Sequence, residues 1–392
     1  MKLALFAATT GYQIRVFEEA ARALGLEVRL ATDRCHHLDD PWADRAIAVR
    51  FEDESVPQEL LDFAPEAVVA VGDRPAYAAA LAAQACGVRF HSPEAVRNAG
   101  DKHRARDCFR RAGMLVPVYR NDGVAPGFPC VVKPTRLSGS RGVIRANDQA
   151  EFEAAVRRVA ALREPGEIIA EEYIDGREFA VEGLVTDGHL QMLALFDKPD
   201  PLVGPYFEET IYATPSRESL AVQQAIEETA QRAVTALGLS DGPVHAEMRV
   251  NERGVWMLEA AARPIGGLCA RALRFNGGVT LEALILRHAL GEPLPELKLD
   301  GPASGVMMIP VPGHGMLESV SGAEGDDDIV ITAKLGEQLI PLPEGRSYPG
   351  FIFARAGTPE EVTELLRAKH ACLQFRLLGV LPVTGAASRT DD

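Results

Sequence analysis

The sequence predicts an α/β protein in several parts: a parallel α/β domain at the amino terminus, a mixed α and β middle, and a β-rich end. Three observations predict it. At 392 residues, 47% of them hydrophobic, the chain exceeds the length that one hydrophobic core usually serves. Residues 1–91 alternate strand and helix patterns in a βαβ rhythm. Beyond about residue 298 short strand patterns replace that rhythm.

The elements follow in order. Lys2–Ala8 reads as a buried strand, Gln13–Leu24 as an amphipathic helix stopped by Gly25, and Leu26–Thr32 as a second strand. Ala67–Asp73 reads as a strand, the following alanine-rich segment as a helix closed by Gly87, and Val88–His91 as another strand. No G-x-G-x-x-G follows the first strand, which weakens a dinucleotide-binding reading. Thr9, Thr10 and Gly11 lie where ligands often meet such sheets, and also read as a plain tight turn.

Ser92-Pro93 supplies a helix N-cap with proline at the first helical position, and Asp101–Ala112 reads as a helix ending at Gly113 with Lys102 in its first turn. A strand ending at Lys133, a helix over Gln149–Leu162 and a strand over Glu167–Ile174 come next. Gly176–Phe196 alternates like a hairpin with Asp187-Gly188 as its turn. The proline-rich stretch Asp197–Thr210 reads as a long loop of the kind that covers a site. A helix over Glu218–Leu237, strands over Gly242–Val250 and Gly254–Pro264, and a helix over Leu281–Leu290 follow. The end carries strands at Gly305–Val311, Asp328–Leu335 and Gly350–Ala356, then a helix opened by the capping box Thr358-Pro-Glu-Glu361. Residues 381–392 read as a tail.

The formal net charge is −15 with no run of lysines or arginines, so neither a nucleic-acid backbone nor an anionic membrane is expected as a partner. A small anionic ligand would need locally gathered positive charge. The six cysteines, Cys35, Cys86, Cys108, Cys130, Cys269 and Cys372, form no C-x-x-C pair and read as reduced thiols of a cytosolic protein. No segment approaches ~18 consecutive apolar residues and the opening apolar run is short for a signal peptide, so a cytoplasmic location is expected.

Chemistry concentrates in three stretches. In Phe128–Val143 the proline after Lys133 biases it to extended backbone and fixes its direction, while Leu137–Gly142 offers small residues whose N–H groups can approach an anion. Lysine plus nest points to phosphate; a solvated lysine and a flexible turn is the alternative. Glu247 and Glu259 share residue 253 as their midpoint, so a hairpin closing there sets the carboxylates opposite each other. Such a pair on a buried face calls for a cation, and Mg²⁺ takes carboxylate oxygens together with phosphates; both side chains facing water is the other reading. His245 shares the face of Glu247, as a substrate contact or a packing residue. Arg263, beside a proline and two glycines, is placed to meet a phosphoryl group or carboxylate, or to form a structural salt bridge.

Taken together, "DKHRARDCFRRAGMLVP", "FPCVVKPTRLSGSRGV", "IIAEEYIDGREFAVEG", "VHAEMRV" and "WMLEAAARPIGG" resemble the ATP-grasp superfamily in order and approximate spacing. The likeness covers roughly residues 90 to 290. Within it the chain is most similar to carboxylate–amine ligases of the L-amino-acid ligase type, through "DKPDPLVGPYFEET", "EAAARPIGG" and the β-rich end.

The resemblance implies an ATP-grasp fold of two α+β subdomains after the N-terminal α/β domain. Its expected bounds are 1–91 for that domain, 92–298 for the grasp with a mobile part at about 115–185, and 299–380 for a β-rich ligase domain. It implies that Lys102 and Lys133 reach the ATP phosphates under a loop of Ser138, Gly139, Ser140 and Gly142. Glu172 and Ile174 would read the adenine edge through their backbone, Glu178 would hold the ribose hydroxyls, and Glu247 and Glu259 would bind Mg²⁺, with Mn²⁺ as a substitute. Arg263 would serve catalysis, and His245, Gly266 and Gly267 would meet substrate. Ala261 stands where many relatives place an asparagine ligand, which puts a second metal in doubt. The implied activity is ATP-dependent amide or peptide bond formation through an acyl phosphate, from small-molecule carboxylate and amine substrates. The 138–142 and 197–209 loops are candidate lids. A carboxylase or formyl-transfer enzyme and a non-catalytic ATP-binding module are the rival readings, and a homodimer is an open assembly.

Overall fold

The computed structural model describes residues 1–8, 13–33, 46–164, 166–345 and 348–379. Thr9, Thr10, Gly11, Cys35 and the tail 381–392 lie outside the described residues. The N-terminal part comprises β1 (Lys2–Ala7), α1 (Gln13–Ala23), β2 (Glu27–Thr32), β3 (Ala46–Ala48), α2 (Gln58–Phe63), β4 (Ala67–Val71) and α3 (Asp73–Cys86). Its strands are all parallel in the order β3-β2-β1-β4. Strand order reverses beside β1, and ligands of open parallel sheets gather outside the strand ends at such a point. Ala8, after β1, and Gly72 and Asp73, after β4, line the main cavity.

The strand expected over Val88–His91 does not form. After α3 the chain turns away from the sheet: His91 is buried, its Nδ1 accepts from the Asp241 N–H at 3.2 Å and its Nε2 faces the Pro243 carbonyl at 3.1 Å. The segment therefore ties the N-terminal part to the later hairpin. Burial pushes His91 down to about 4, which keeps it neutral.

Two short helices follow, α4 (Pro93–Ala99) capped by the Ser92 hydroxyl and α5 (Lys102–Arg111) capped by the Asp101 carboxylate. A small antiparallel sheet, order β5-β8-β6-β7, is built from β5 (Tyr119–Arg120), β6 (Cys130–Pro134), β7 (Ile144–Ala146) and β8 (Ile168–Glu172). Helix α6 (Gln149–Ala161) covers it through Phe152, Ala155 and Val159.

The remaining elements are β9 (Arg177–Thr186), β10 (His189–Lys198), β11 (Ile211–Thr214), α7 (Leu220–Leu237), β12 (Gly242–Asn251), β13 (Gly254–Ala261), a 3-10 turn (Cys269–Ala272), β14 (Arg274–Phe275), β15 (Val279–Thr280) and α8 (Leu281–Ala289). The end of the chain adds β16 (Ala303–Met308), β17 (Gly315–Ser321), β18 (Ile329–Ile331), β19 (Gln338–Leu339), β20 (Gly350–Ala356), α9 (Pro359–Ala371) and β21 (Gln374–Leu378). One sheet runs β13-β12-β9-β10-β11-β16-β20-β18, so three strands of the β-rich end extend the sheet of the middle of the chain across residue 298. The predicted capping box opens α9. Among the described residues no helix is long and apolar enough to cross a membrane.

Candidate active site

The hairpin β12–β13 sets the centre of the site. Its turn is Glu252-Arg253, and a regular two-residue hairpin closing there would place Glu247 opposite Leu258. An irregularity intervenes: Met248 pairs with Met257, whereas Glu247 pairs with Glu259, so Leu258 is an extra residue. The bulge is what brings the two carboxylates face to face.

Different cations relieve their repulsion. Glu259 has Lys102 Nζ at 3.3 Å, and the same ammonium donates to the Leu137 carbonyl at 2.6 Å. Glu247 Oε1 accepts from Lys198 Nζ at 3.0 Å and from the Tyr212 hydroxyl at 3.3 Å, with His245 Nε2 at 3.4 Å. Burial would raise the Glu247 carboxyl, but Lys198 and His245 hold it well below the usual range. Burial also opposes charge on His245; hydrogen bonds to Glu182 and Glu247 outweigh it and lift the imidazole to about 9. Glu182 is fully buried and also accepts from the Ile265 N–H.

Lys198 lies among three carboxylates, 2.8 Å from Glu178, 2.6 Å from Glu209 and 3.0 Å from Glu247. Ligand atoms of those three acids lie within 4.8 Å of one another, a set of oxygens able to hold a cation. Glu178 also accepts from Arg249 Nε at 2.8 Å, while Arg249 donates to the carbonyls of Ile174 and Leu202, each at 2.6 Å. Ala261 is buried opposite His245 and offers no oxygen.

Lys133, at the end of β6, meets Glu171 at 2.5 Å, and Glu171 pairs with the buried Arg106 at 2.8 Å. Arg106 lies one helical turn after Lys102 on α5, so one face of that helix supplies both cations. Burial pushes the Lys133 ammonium down to about 8 against the pull of Glu171. The Glu172 N–H donates to the Val118 carbonyl at 2.7 Å.

In the small-residue loop Gly139, Ser140 and Gly142 have φ of +63°, +55° and +74°. Ser138, Gly139 and Ser140 line the cavity. Gly142 does not; its N–H donates to the Pro343 carbonyl at 2.8 Å, and a Cβ there would come within 2.9 Å of Leu162. Arg141 pairs with Glu164 at 2.7 Å and donates to the Glu344 carbonyl at 3.2 Å. Arg263 forms a two-pronged ion pair with Asp73, the salt bridge that was one reading of its sequence, and it also lines the cavity.

A cavity of about 1140 Å³ gathers these groups. Lys102, Lys133, Ser138, Gly139, Ser140, Glu172, Ile174, Glu178, His245, Glu247, Glu259, Arg263, Gly266 and Gly267 all line it. Sequence reasoning missed Asp73, Glu171, Lys198 and Glu209. For Lys198 a signal existed, since Lys198-Pro199 repeats the lysine–proline step that singled out Lys133. Asp73 follows a parallel strand at the point where such sheets bind ligands. Glu209, inside an irregular loop, had no comparable signal.

Residues 126–272 match the ATP-grasp domain family. The chain is 27% identical over 342 residues to the alanine–anticapsin ligase of Bacillus subtilis (strain 168), an alignment covering 76% of this chain and 70% of that protein. The Bacillus amyloliquefaciens protein of the same name is 28% identical over 60% of this chain, and the chain spans 57% of its length. Among solved structures, an L-amino acid ligase from Bacillus licheniformis superposes with a TM-score of 0.81 at 27% identity, covering 96% of this chain and 99% of that one.

Proposed function

We propose that this ATP-grasp protein is an ADP-forming carboxylate–amine ligase that joins an amino acid to a second small molecule through an amide or peptide bond. The observation that carries the reading is convergence: two lysines, an arginine and a face-to-face carboxylate pair line one cavity beside a loop of small residues. The likeness to ligases that are named for amino acid substrates supports it.

In this reading Lys102 and Lys133 neutralise the ATP phosphates, and Ser138–Ser140 present backbone N–H groups to them. The Glu172 N–H and the Ile174 carbonyl already have protein partners, so the base edge is read by the Glu172 carbonyl and the Ile174 N–H. Glu178 meets the ribose. Glu247 and Glu259 fit a divalent cation by their oxygen chemistry and their opposed placement, with Mg²⁺ the assigned ion and Mn²⁺ its substitute. When bound, that ion supplies charge neutralisation on the phosphates.

The substrate carboxylate attacks the γ-phosphorus, the bond to the β-phosphate oxygen breaks and ADP departs. The amine then attacks the acyl carbon of the acyl phosphate and phosphate leaves. Arg263, its plane set by Asp73, meets the charge that develops on the transferred group. His245, Gly266 and Gly267 border the carboxylate substrate, and the 138–142 and 197–209 loops keep water from the acyl phosphate. The domains proposed are 1–91, 92–298 and 299–380, and the compartment proposed is the cytoplasm. The test is ADP release over a matrix of amino acids and small carboxylic acids. Release that needs both an acid and an amine supports a ligase; release with bicarbonate or formate alone overturns it.

A further inference from the structure

We propose that a second cleft, on the far side of the 3-10 turn Cys269–Ala272, binds a small phosphate-class oxyanion. The cleft measures about 210 Å³ and is lined by Arg271, Arg274 and Arg355 together with Phe353 and Asp328. Three guanidinium groups gathered in a chain of net charge −15 are unusual because like charges repel, and among the described residues none of the three forms an ion pair with a carboxylate.

Neutral groups hold the three in place instead. Arg355 donates to the carbonyls of Asp300 and Ala272, each at 3.2 Å, and Arg274 donates to the Leu273 carbonyl at 3.0 Å. The Arg271 guanidinium lies over the Phe353 ring, 4.5 Å from its centroid. The nearby acids have other hydrogen-bond partners: Asp328 accepts from Lys369 at 2.8 Å, and Asp300 accepts from the N–H groups of Gly277 and Gly278 at 3.0 and 2.6 Å. The cations are thus oriented but only partly offset by acids, and burial together with Arg274 pushes Arg355 below its ordinary value although Asp300 and Asp328 pull it up. A doubly charged tetrahedral anion would accept from the unused forks and relieve that repulsion.

None of the three arginines lines the main cavity, yet Cys269, two residues before Arg271, does. The cleft is therefore a separate site that shares one turn with the ligase centre, and it does not rest on the proposed reaction.

Inorganic phosphate titrated into the full chain by calorimetry, at constant ionic strength, is the test. Three proteins are compared: the parent, Arg274→Gln/Arg355→Gln, and Lys133→Ala, in which the nucleotide end of the main cavity is weakened. The phosphate binding that persists in Lys133→Ala, whose main cavity has lost a phosphate partner, is the binding assigned to the cleft, and the double variant is expected to lose that component by at least about tenfold. Arg271→Gln, which removes no backbone hydrogen bond, is expected to weaken binding in the same direction and serves if the double variant does not fold. Unchanged affinity in the arginine variants, or loss of all phosphate binding in Lys133→Ala, overturns the site, as does the absence of binding to the parent.

Discussion

Asp73 and Arg263 face each other across 190 residues of sequence, with Nε 2.9 Å from Oδ1 and a terminal nitrogen 3.2 Å from Oδ2. Asp73 opens α3 directly after the parallel strand β4; Arg263 follows β13, two residues beyond Ala261. The pair joins the end of the N-terminal sheet to the hairpin that carries both candidate metal ligands. Burial would raise the Asp73 carboxyl, but Arg263 holds it below its ordinary value, so the aspartate stays an anion that fixes the guanidinium plane.

A positioning role for Asp73 has a kinetic signature. Asp73→Asn keeps the shape and removes the charge, so turnover is expected to fall on the order of tenfold while ATP affinity stays close to that of the parent. Arg263→Ala should lose about 10² to 10³ in kcat, and Arg263→Lys should recover little because it lacks the planar fork. Substrate-dependent ADP formation at saturating ATP, beside nucleotide titrations, measures both. Normal turnover in Arg263→Ala removes the arginine from the chemistry.

If Lys133 meets the ATP phosphates as proposed, ATP binding is expected to depend on pH. Burial leaves its ammonium titrating at about 8, so its charge is lost as pH rises through that value. Affinity for Mg-ATP is expected to decline above about pH 8 in the parent and to stay flat in Lys133→Arg, whose charge persists. Lys133→Ala should bind weakly at every pH. Equal slopes for parent and arginine variant would assign the pH dependence to another group.

Helices were legible where their caps are explicit, as with Ser92 and Thr358, whereas Asp101, read as the first residue of its helix, is in fact the cap of α5. The facing of Glu247 and Glu259 was legible only by counting about residue 253; the true turn is centred between residues 252 and 253, and the bulge at Leu258 restores the register. The strand misread at Val88–His91 shows the limit of local pattern, because His91 is held by backbone groups of Asp241 and Pro243 far along the chain. Strand β3 and helix α2 are too short to show a period. Lys198 carried the lysine–proline signal, but its partners, like those of Glu209, come together only in the sheet order β12-β9-β10-β11.

The small-residue loop is tethered at its base and open at its tip. Arg141 and Gly142 attach it to Glu164 and to the 343–344 segment, whereas Ser138–Ser140 face the cavity. Amide exchange is expected to be fast at 138–140 without nucleotide and slower with ATP, and Arg141→Ala should spread the fast exchange through residue 142. Exchange at the tip that ignores saturating ATP would rule out a lid.

Lys198 gives a way to separate metal binding from structure at the carboxylates. Its ammonium already balances Glu178, Glu209 and Glu247, so a divalent ion on Glu247 enters a site where one cation is resident. Glu259, whose partner is Lys102, lies outside that cluster. Removing charge on the two sides should therefore act oppositely. Glu259→Gln deletes a ligand and should weaken Mn²⁺ binding, read by electron paramagnetic resonance in the presence of ATP, by about tenfold or more. Lys198→Met deletes the competitor while filling its volume, so less compensated carboxylates should bind Mn²⁺ more tightly, at a cost in stability that falls mainly on Glu209, since Glu178 keeps Arg249 and Glu247 keeps His245. Chemical denaturation beside the metal titration checks both halves. Weaker Mn²⁺ binding in a folded Lys198→Met would mean that the lysine supports the metal site instead of competing with it.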